Sequence, residues 1–544
     1  MLNSFRLFLA LLLLNSALSF QNRWPTVGVR WVPEFSLDLV VLLLVLTLLA
    51  TWRGVALGHA THKILFGVFL LLVLGRYLDV TVPALMGRPI DLYWDSQYVP
   101  HVVAMFLDGV GGWQGGLALL ALLVLLLLII VLLHWAFRVL IAALAQPVSR
   151  RGIMVLALTL LAVYGAGRLN PRWPLAHGFA LPVSGMWIEQ AKRALDATVF
   201  RDHGRIAAQP PLPTSDLSRL GSGDLFVIFF ESYGALVFDD PRFATPLGGD
   251  FAALEETLSA SGWRVVSARV ESSTFGGSSW LAHSSLLSGL RIADQGDYRD
   301  LLASNRATLA SRVAAAGYRT IAVMPGLKYP WPEGSFYRFD RIYDAEQLKY
   351  PGPAYGWWAI PDQYSLYHIY QDEVAPANRA PLLVFYPTIN SHAPFTPLPP
   401  YHPDWRFFDA APAVTTVKAV ELNDRLDGRE LASAYVQSVR YNLAILGGYL
   451  REYAPKNALF LVLGDHQPPA VVSGQGRSWQ VPVHLFSRDP ALLAAFEQAG
   501  FQRGLTPGPT ALGGIEMLTS LLLRTLDSPP PATLEPSTSA TTAP

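Results

Sequence analysis

At 544 residues, with 51% apolar side chains, the chain is too long and too greasy to fold as one soluble domain, so part of it belongs in lipid. Basic and acidic residues balance at 41 each and no long basic run is present, which removes the electrostatic basis for a nucleic-acid partner. There is no cysteine, which excludes disulfides, thiolate metal sites and a cysteine-derived formylglycine.

In chain order, apolar stretches of membrane-crossing character run over Phe5–Phe20, Phe35–Trp52, Ile64–Leu85, Leu117–Ala145 and Ile153–Tyr164, the first and last being short for the purpose. They predict a polytopic α-helical membrane domain of about five helices over residues 1–170. Arg53, Lys63, Arg138, Arg150 and Arg151 collect in loops that would then face the cytoplasm, while Asp79, Asp91, Asp95 and Asp108 would lie outside, so everything after the last span is expected outside. Read as a cleaved signal ending near Ser16-Ala17-Leu18-Ser19, the first stretch leaves four spans and the same exported C-terminal domain.

Residues 171–218 read as a proline-containing linker in which Met186–Phe200 is amphipathic, either lying along the membrane interface or packed on the domain that follows. From residue 219 to 527, apolar runs alternate with helical stretches: Leu225–Phe230, Arg264–Val270, Arg319–Met324, Leu382–Tyr386, Ala458–Leu463 and Val481–Phe486. Continuous apolar strands interleaved with helices predict an α/β domain with a central, mostly parallel sheet covered on both faces. Residues 528–544, rich in Pro, Ser, Thr and Ala, are expected to be disordered, and no internal repeat is found.

Two of the strands stop at acids, Phe226–Phe230 at Glu231 and Phe460–Leu463 just before Asp465-His466. Carboxylates and an imidazole at the carboxyl ends of strands can converge on one divalent cation, and a cation removes the cost of burying Glu231. Between them the run Glu271-Ser-Ser-Thr-Phe-Gly-Gly-Ser-Ser-Trp-Leu-Ala-His-Ser-Ser-Leu-Leu-Ser-Gly289 places the Ser279 hydroxyl at a glycine-loosened turn opening an apolar helix, where free N–H groups attract anions. Thr274, Ser278, Ser284 and Ser285 are rival hydroxyls. A hydroxyl nucleophile, a metal and an anion-binding helix end together point to phosphoryl or sulfuryl transfer.

These residues carry a resemblance to the sulfatase and alkaline-phosphatase superfamily, and within it to the membrane-anchored lipoteichoic acid synthases and phosphoglycerol transferases. The register from Ser279 to Leu286-Leu287-Ser288-Gly289 is similar to the sulfatase run from its modified nucleophile, of the form Cys-x-Pro-x-Arg, to Leu-Leu-Thr-Gly, but Leu281 replaces the Pro and His283 the Arg. The synthase branch instead uses an unmodified Thr, which Gly277-Ser278-Ser279 resembles with Ser for Thr. The resemblance implies Ser279 as nucleophile and Glu231, Ser279, Asp465 and His466 as the shell of one manganese, magnesium or zinc ion. Asn390-Ser391-His392-Ala393-Pro394 looks like the family's His-x-Pro element, giving His392 a role at the transferred group or leaving oxygen. Tyr355–Asp362 resembles the Trp-Gly-x-x-Asp segment near the glycerol phosphate pocket, implying Trp357, Trp358 and Asp362 as substrate-binding residues; His283, one turn after Ser279, joins them as a phosphate contact or a core residue. Lys328 reads as a solvated lysine.

The function expected is a phosphotransferase of the bacterial inner membrane with its catalytic domain periplasmic. It would move a phosphoglycerol or phosphoethanolamine headgroup from a phospholipid to an envelope glycan or lipid acceptor through a seryl intermediate. A sulfatase or phosphodiesterase hydrolase, and a non-catalytic exported binding protein, are the alternatives.

Overall fold

The computed structural model describes residues 2–24, 26–52, 59–99, 112–170, 173, 178–202, 204–206, 208–328, 331–355, 359–409 and 428–528. By its contacts the chain divides into two units, the first comprising Met1–His203 with Val420–Leu431 and Pro468–Arg477, the second Gly204–Ala419, Ala432–Gln467 and Ser478–Pro544.

The first unit is helical: α1 (Leu2–Ser19), α2 (Leu37–Trp52), α3 (His59–Met86), α4 (Gly112–Leu144), α5 (Pro147–Leu169) and α6 (Val183–Thr198). Three stretches, Thr61–Met86, Gly115–Leu144 and Pro147–Leu169, are long and apolar enough to cross a membrane, whereas the apolar parts of α1 and α2 are shorter. The last of the five apolar stretches is thus longer than its sequence pattern implied, because polar Arg150 and Arg151 sit inside the helix that Pro147 opens. The helices share a core that includes Leu14, Leu43, Leu46, Phe69, Phe137 and Leu140, all buried. The amphipathic stretch forms α6, and its start is fixed by α2: the buried Asp38 carboxylate accepts from Val183 N at 2.7 Å and Ser184 N at 3.2 Å.

Among its described residues the second unit builds a nine-stranded mixed sheet from β1 (Leu225–Phe230), β2 (Arg264–Glu271), β3 (Arg319–Val323), β4 (Arg341–Tyr343), β5 (Leu382–Pro387), β6 (Leu459–Gly464), β7 (Gln480–Ser487), β8 (Gln502–Arg503) and β9 (Ala511–Gly514). The order is β8-β2-β7-β6-β1-β5-β3-β4, with β9 also on β2. The half from β6 through β1, β5, β3 and β4 is parallel, while β7 is antiparallel to both β6 and β2. The helices α7 (Pro241–Ala260), α8 (Ser279–Ser288), α9 (Asp362–Ile369) and α10 (Gly428–Glu452) follow in the chain. Every residue of β1, β5 and β6 is buried, as their unbroken apolar sequences require, and Leu225, Val227, Phe229, Leu461 and Leu463 join α8 residues Leu281, Leu286 and Leu287 in one core. The parallel register aligns Phe230 with Gly464, so Glu231 and Asp465 emerge side by side at the carboxyl edge of the two central strands.

A candidate metal centre at the sheet edge

Glu231, Asp465 and His466 are all buried, and each offers a ligand atom within 4.8 Å of the others. His466 Nε2 lies 3.4 Å from Glu231 Oε1 and 3.7 Å from Asp465 Oδ2. His466 Nδ1 is 2.8 Å from the Gln467 carbonyl, to which it donates, and this turns Nε2 toward the carboxylates as metal-binding histidines require. Asp465 Oδ1 accepts from Ser232 N at 2.8 Å and His466 N at 2.7 Å, yet its Oδ2 is buried with no hydrogen-bond partner. An orphaned carboxylate oxygen facing a second carboxylate and an imidazole nitrogen fits a divalent cation, and this donor set suits manganese, magnesium or zinc.

The electrostatics say the same. Burial pushes the Asp465 carboxyl well above its ordinary range, and the neighbouring Glu231 charge pushes it further. Burial acts on His466 in the opposite sense but is outweighed by Asp465 and Glu231, which hold the imidazole up at about 9. For Glu231 burial is in turn outweighed by His466 and His392, so its carboxyl stays below the usual range. Two buried acids thus recruit protons and an imidazolium as their positive charge, which is the demand a cation meets.

Ser279 is the first residue of α8, and its Oγ donates to Glu231 Oε2 at 2.9 Å and lies 3.1 Å from His466 Nε2. The turn that delivers it runs through three left-handed residues, Gly276 (φ 67°), Gly277 (φ 146°) and Ser278 (φ 62°). The left-handed Ser278 is a strained conformation for a residue with a Cβ, a type that collects at functional sites. The turn is tied down by Gly276 N donating to Gln467 O at 3.1 Å and Ser272 Oγ donating to Asp465 O. Rival hydroxyls are engaged elsewhere: Thr274 Oγ1 bonds Gly277 O, while Ser284 and Ser285 bond back to Trp280 O and Leu281 O within the helix.

His392 follows β5, and the same loop is fastened to Glu231: Glu231 N donates to Thr388 Oγ1 at 3.1 Å and Ser391 Oγ to Glu231 O at 2.6 Å. His392 Nδ1 lies 2.7 Å from Ala393 O, and its charge acts on Glu231. His283 packs on Phe229 at 4.5 Å and on Phe385 at 5.7 Å; burial pushes it down to about 4, so it is a neutral ring among aromatics, with Nε2 unpartnered. Asp362, expected as a substrate-binding residue, is wholly buried with both carboxylate oxygens occupied by Tyr386, Ile389 and Asn390. Trp357 and Trp358 lie outside the described residues.

Motif reading missed the frame around the cluster. Ser232, at φ 59°, donates its N–H to Asp465 and its Oγ to Glu231 Oε1 at 3.1 Å, and Tyr435 OH holds its carbonyl at 2.8 Å. Asn442 Nδ2 holds Ser391 Oγ at 2.8 Å. Ser232 and Ser391 adjoin candidate residues in sequence and were findable by that adjacency; Tyr435 and Asn442 come from a distant helix and carry no such signal.

A nine-stranded α/β sheet with a hydroxyl and an acid–histidine cluster at its carboxyl edge defines an enzyme architecture of the alkaline-phosphatase type. The sulfatase family model matches residues 237–495, so this stretch of the chain carries a sulfatase-family domain. Ser279, His392, Asp465 and His466 fall inside the matched stretch and Glu231 shortly before it. Among solved structures, the chain is similar to the integral membrane lipooligosaccharide phosphoethanolamine transferase A of Neisseria meningitidis, at 14% identity over 96% of this chain and 95% of that one, with a TM-score of 0.47. It is also similar to the lipoteichoic acid synthase LtaP of Listeria monocytogenes (12% identity, 52% and 70% covered, TM-score 0.36) and to the Streptococcus pyogenes phosphoglycerol transferase GacH in complex with sn-glycerol-1-phosphate (12%, 61% and 85%, TM-score 0.35). No curated protein matches the chain.

Proposed function

We propose that this protein is a membrane-anchored, metal-dependent phosphotransferase of the phosphoglycerol and phosphoethanolamine transferase branch. It takes a headgroup from a phospholipid, holds it on Ser279 and passes it to an acceptor of the cell envelope. The carrying observation is the position of Ser279 Oγ, within hydrogen-bond reach of both Glu231 and His466 beside the unpartnered Asp465 Oδ2. Glu231, Asp465 and His466 would hold the cation, with Ser279 as a further ligand. When bound, a divalent cation there supplies the lowered serine pKa and the charge that stabilises the phosphoryl oxygens.

Ser279 attacks as the alkoxide, its proton already given up to solvent, and is returned in that form by the second displacement; its Oγ forms the new O–P bond in line with the departing diacylglycerol oxygen, whose bond to phosphorus breaks. A protonated His392 gives that oxygen its proton, so diacylglycerol leaves neutral. In the second displacement an acceptor hydroxyl attacks the seryl phosphodiester, His392 takes its proton, and Ser279 is released. The positive end of the α8 dipole, where Ser278 makes no side-chain cap, favours the anionic phosphoryl group during both steps. Three membrane-length helices support a bilayer donor, because an anchor raises its effective concentration. The anchoring membrane is the inner membrane, with the sulfatase-type domain on its periplasmic side.

The second reading is a sulfatase or phosphodiesterase hydrolase, favoured by the family model itself. Leu281 and His283 in place of Pro and Arg count against formylglycine maturation. The test supplies the purified full chain and manganese with vesicles of phosphatidylglycerol or of phosphatidylethanolamine. Diacylglycerol release that depends on cation and on an added acceptor supports the transferase. Release at the same rate with water as the only acceptor establishes the hydrolase.

A further inference from the structure

The chain leaving β5 has to pass from the sheet to Glu231 within five residues, Thr388 to His392, and its first four residues are buried. A buried segment without a strand partner must satisfy its backbone groups some other way. Thr388 N donates to Phe229 O at 2.8 Å and His392 N to Ile389 O at 3.0 Å. Ile389 N and Asn390 N both go to one side chain: the Asp362 carboxylate accepts from Ile389 at 3.0 and 3.1 Å and from Asn390 at 2.8 Å. Tyr386 OH adds a donor at 2.6 Å, and Asn390 Oδ1 accepts in return from Asp362 N at 2.7 Å.

Asp362 opens α9 at 0% exposure, and the groups that hydrogen-bond its carboxylate, Tyr386 OH and the N–H groups of Ile389 and Asn390, are neutral dipoles. Burial pushes its carboxyl up to about 6 even though Tyr386, Asn390 and Ile389 all favour the charge. A carboxylate held at that cost needs two acceptor oxygens that an amide does not have, since an amide turns an NH2 toward one of the two backbone donors.

We infer that Asp362 is a positioning residue for His392: it clamps the backbone two and three residues before the histidine and so sets where the imidazole meets the leaving oxygen. This rests on the proposed role of His392 as the proton donor to the leaving group. The experiment uses two phosphodiester donors and the manganese-loaded full chain. A phospholipid loses an alkoxide that needs a proton, while a p-nitrophenyl phosphodiester loses a phenolate that does not.

His392→Ala is expected to lose roughly 10²-fold in kcat on the phospholipid and less than about tenfold on the nitrophenyl ester. Asp362→Asn should show the same leaving-group signature, add little further loss to His392→Ala, and leave manganese affinity within about threefold. Tyr386→Phe keeps the ring in the core and removes one donor to Asp362, so it should lose several-fold on the lipid alone; it decides the matter if Asp362→Asn does not fold. Equal loss on both donors in the Asp362 and Tyr386 variants, or no loss on either, overturns the inference while a selective His392→Ala leaves the transferase reading intact. A His392→Ala without leaving-group selectivity overturns the histidine's role, and the inference with it.

Discussion

Asp465 places its two oxygens in different circumstances, one anchored by Ser232 N and His466 N and the other unpartnered, and that asymmetry is how a ligand is aimed before a cation arrives. Asp465→Asn is expected to weaken manganese binding by roughly 10²-fold or more in calorimetric titration, because a ligand is lost. Ser232→Ala should weaken it by about tenfold, since only the Oγ contact to Glu231 goes while the N–H to Asp465 stays. Equal affinity in wild type and Asp465→Asn would place the cation elsewhere. At this scale much was legible. A strand ending at an acid, an Asp-His pair after another strand and a hydroxyl opening a helix are all written in consecutive residues. The hydrogen-bond partners of Asp362 were not legible, because they lie in the distant segment Tyr386–Asn390.

The elements carry the site only because their ends approach closely. Gly464 ends β6, where a Cβ would come within 1.8 Å of the Tyr233 carbonyl, a backbone atom unable to yield without moving the Glu231-Ser232 turn. Gly464→Ala should therefore cost roughly 3 kcal/mol or more and lower Tm by several degrees; an unchanged melting profile would mean that the turn is slack. On β7, His484 sits between Tyr233 OH at 3.1 Å and Ser267 Oγ at 2.7 Å, and burial pushes it down to about 3. The unfolded chain binds this proton near pH 6.5 and the folded chain does not, so stability is lost as pH falls from about 6.5 toward 3, by up to something on the order of 5 kcal/mol. Denaturant titrations at pH 7 and pH 5 should show a smaller acid loss in His484→Gln than in wild type; equal losses would show that His484 contributes nothing to it. The long strands were legible as unbroken apolar runs. That β7 runs antiparallel was not, since a strand buried on both faces reads alike in either direction, and β4, β8 and β9 are too short to leave a pattern.

Over the whole molecule the proposed transfer requires the sulfatase-type unit to lie outside the cytoplasm, where lipid headgroups and envelope acceptors are met. The positive charges at Arg53, Lys63, Arg138, Arg150 and Arg151 predict this orientation, and a reporter fused after Pro544 reads it directly. Alkaline phosphatase activity is expected there, and activity from a reporter that works only in the cytoplasm would reverse the topology. The proposed mechanism places the headgroup on Ser279, because its Oγ alone among the hydroxyls of its segment reaches both Glu231 and His466. Incubating the manganese-loaded full chain with labelled phospholipid and mapping its peptides by mass spectrometry tests this most directly. A headgroup phosphodiester is expected on Ser279, absent in Ser279→Ala and still formed in Ser279→Thr; an adduct on Thr274 or Ser278, or full turnover in Ser279→Ala, would rule out Ser279 as the carrier.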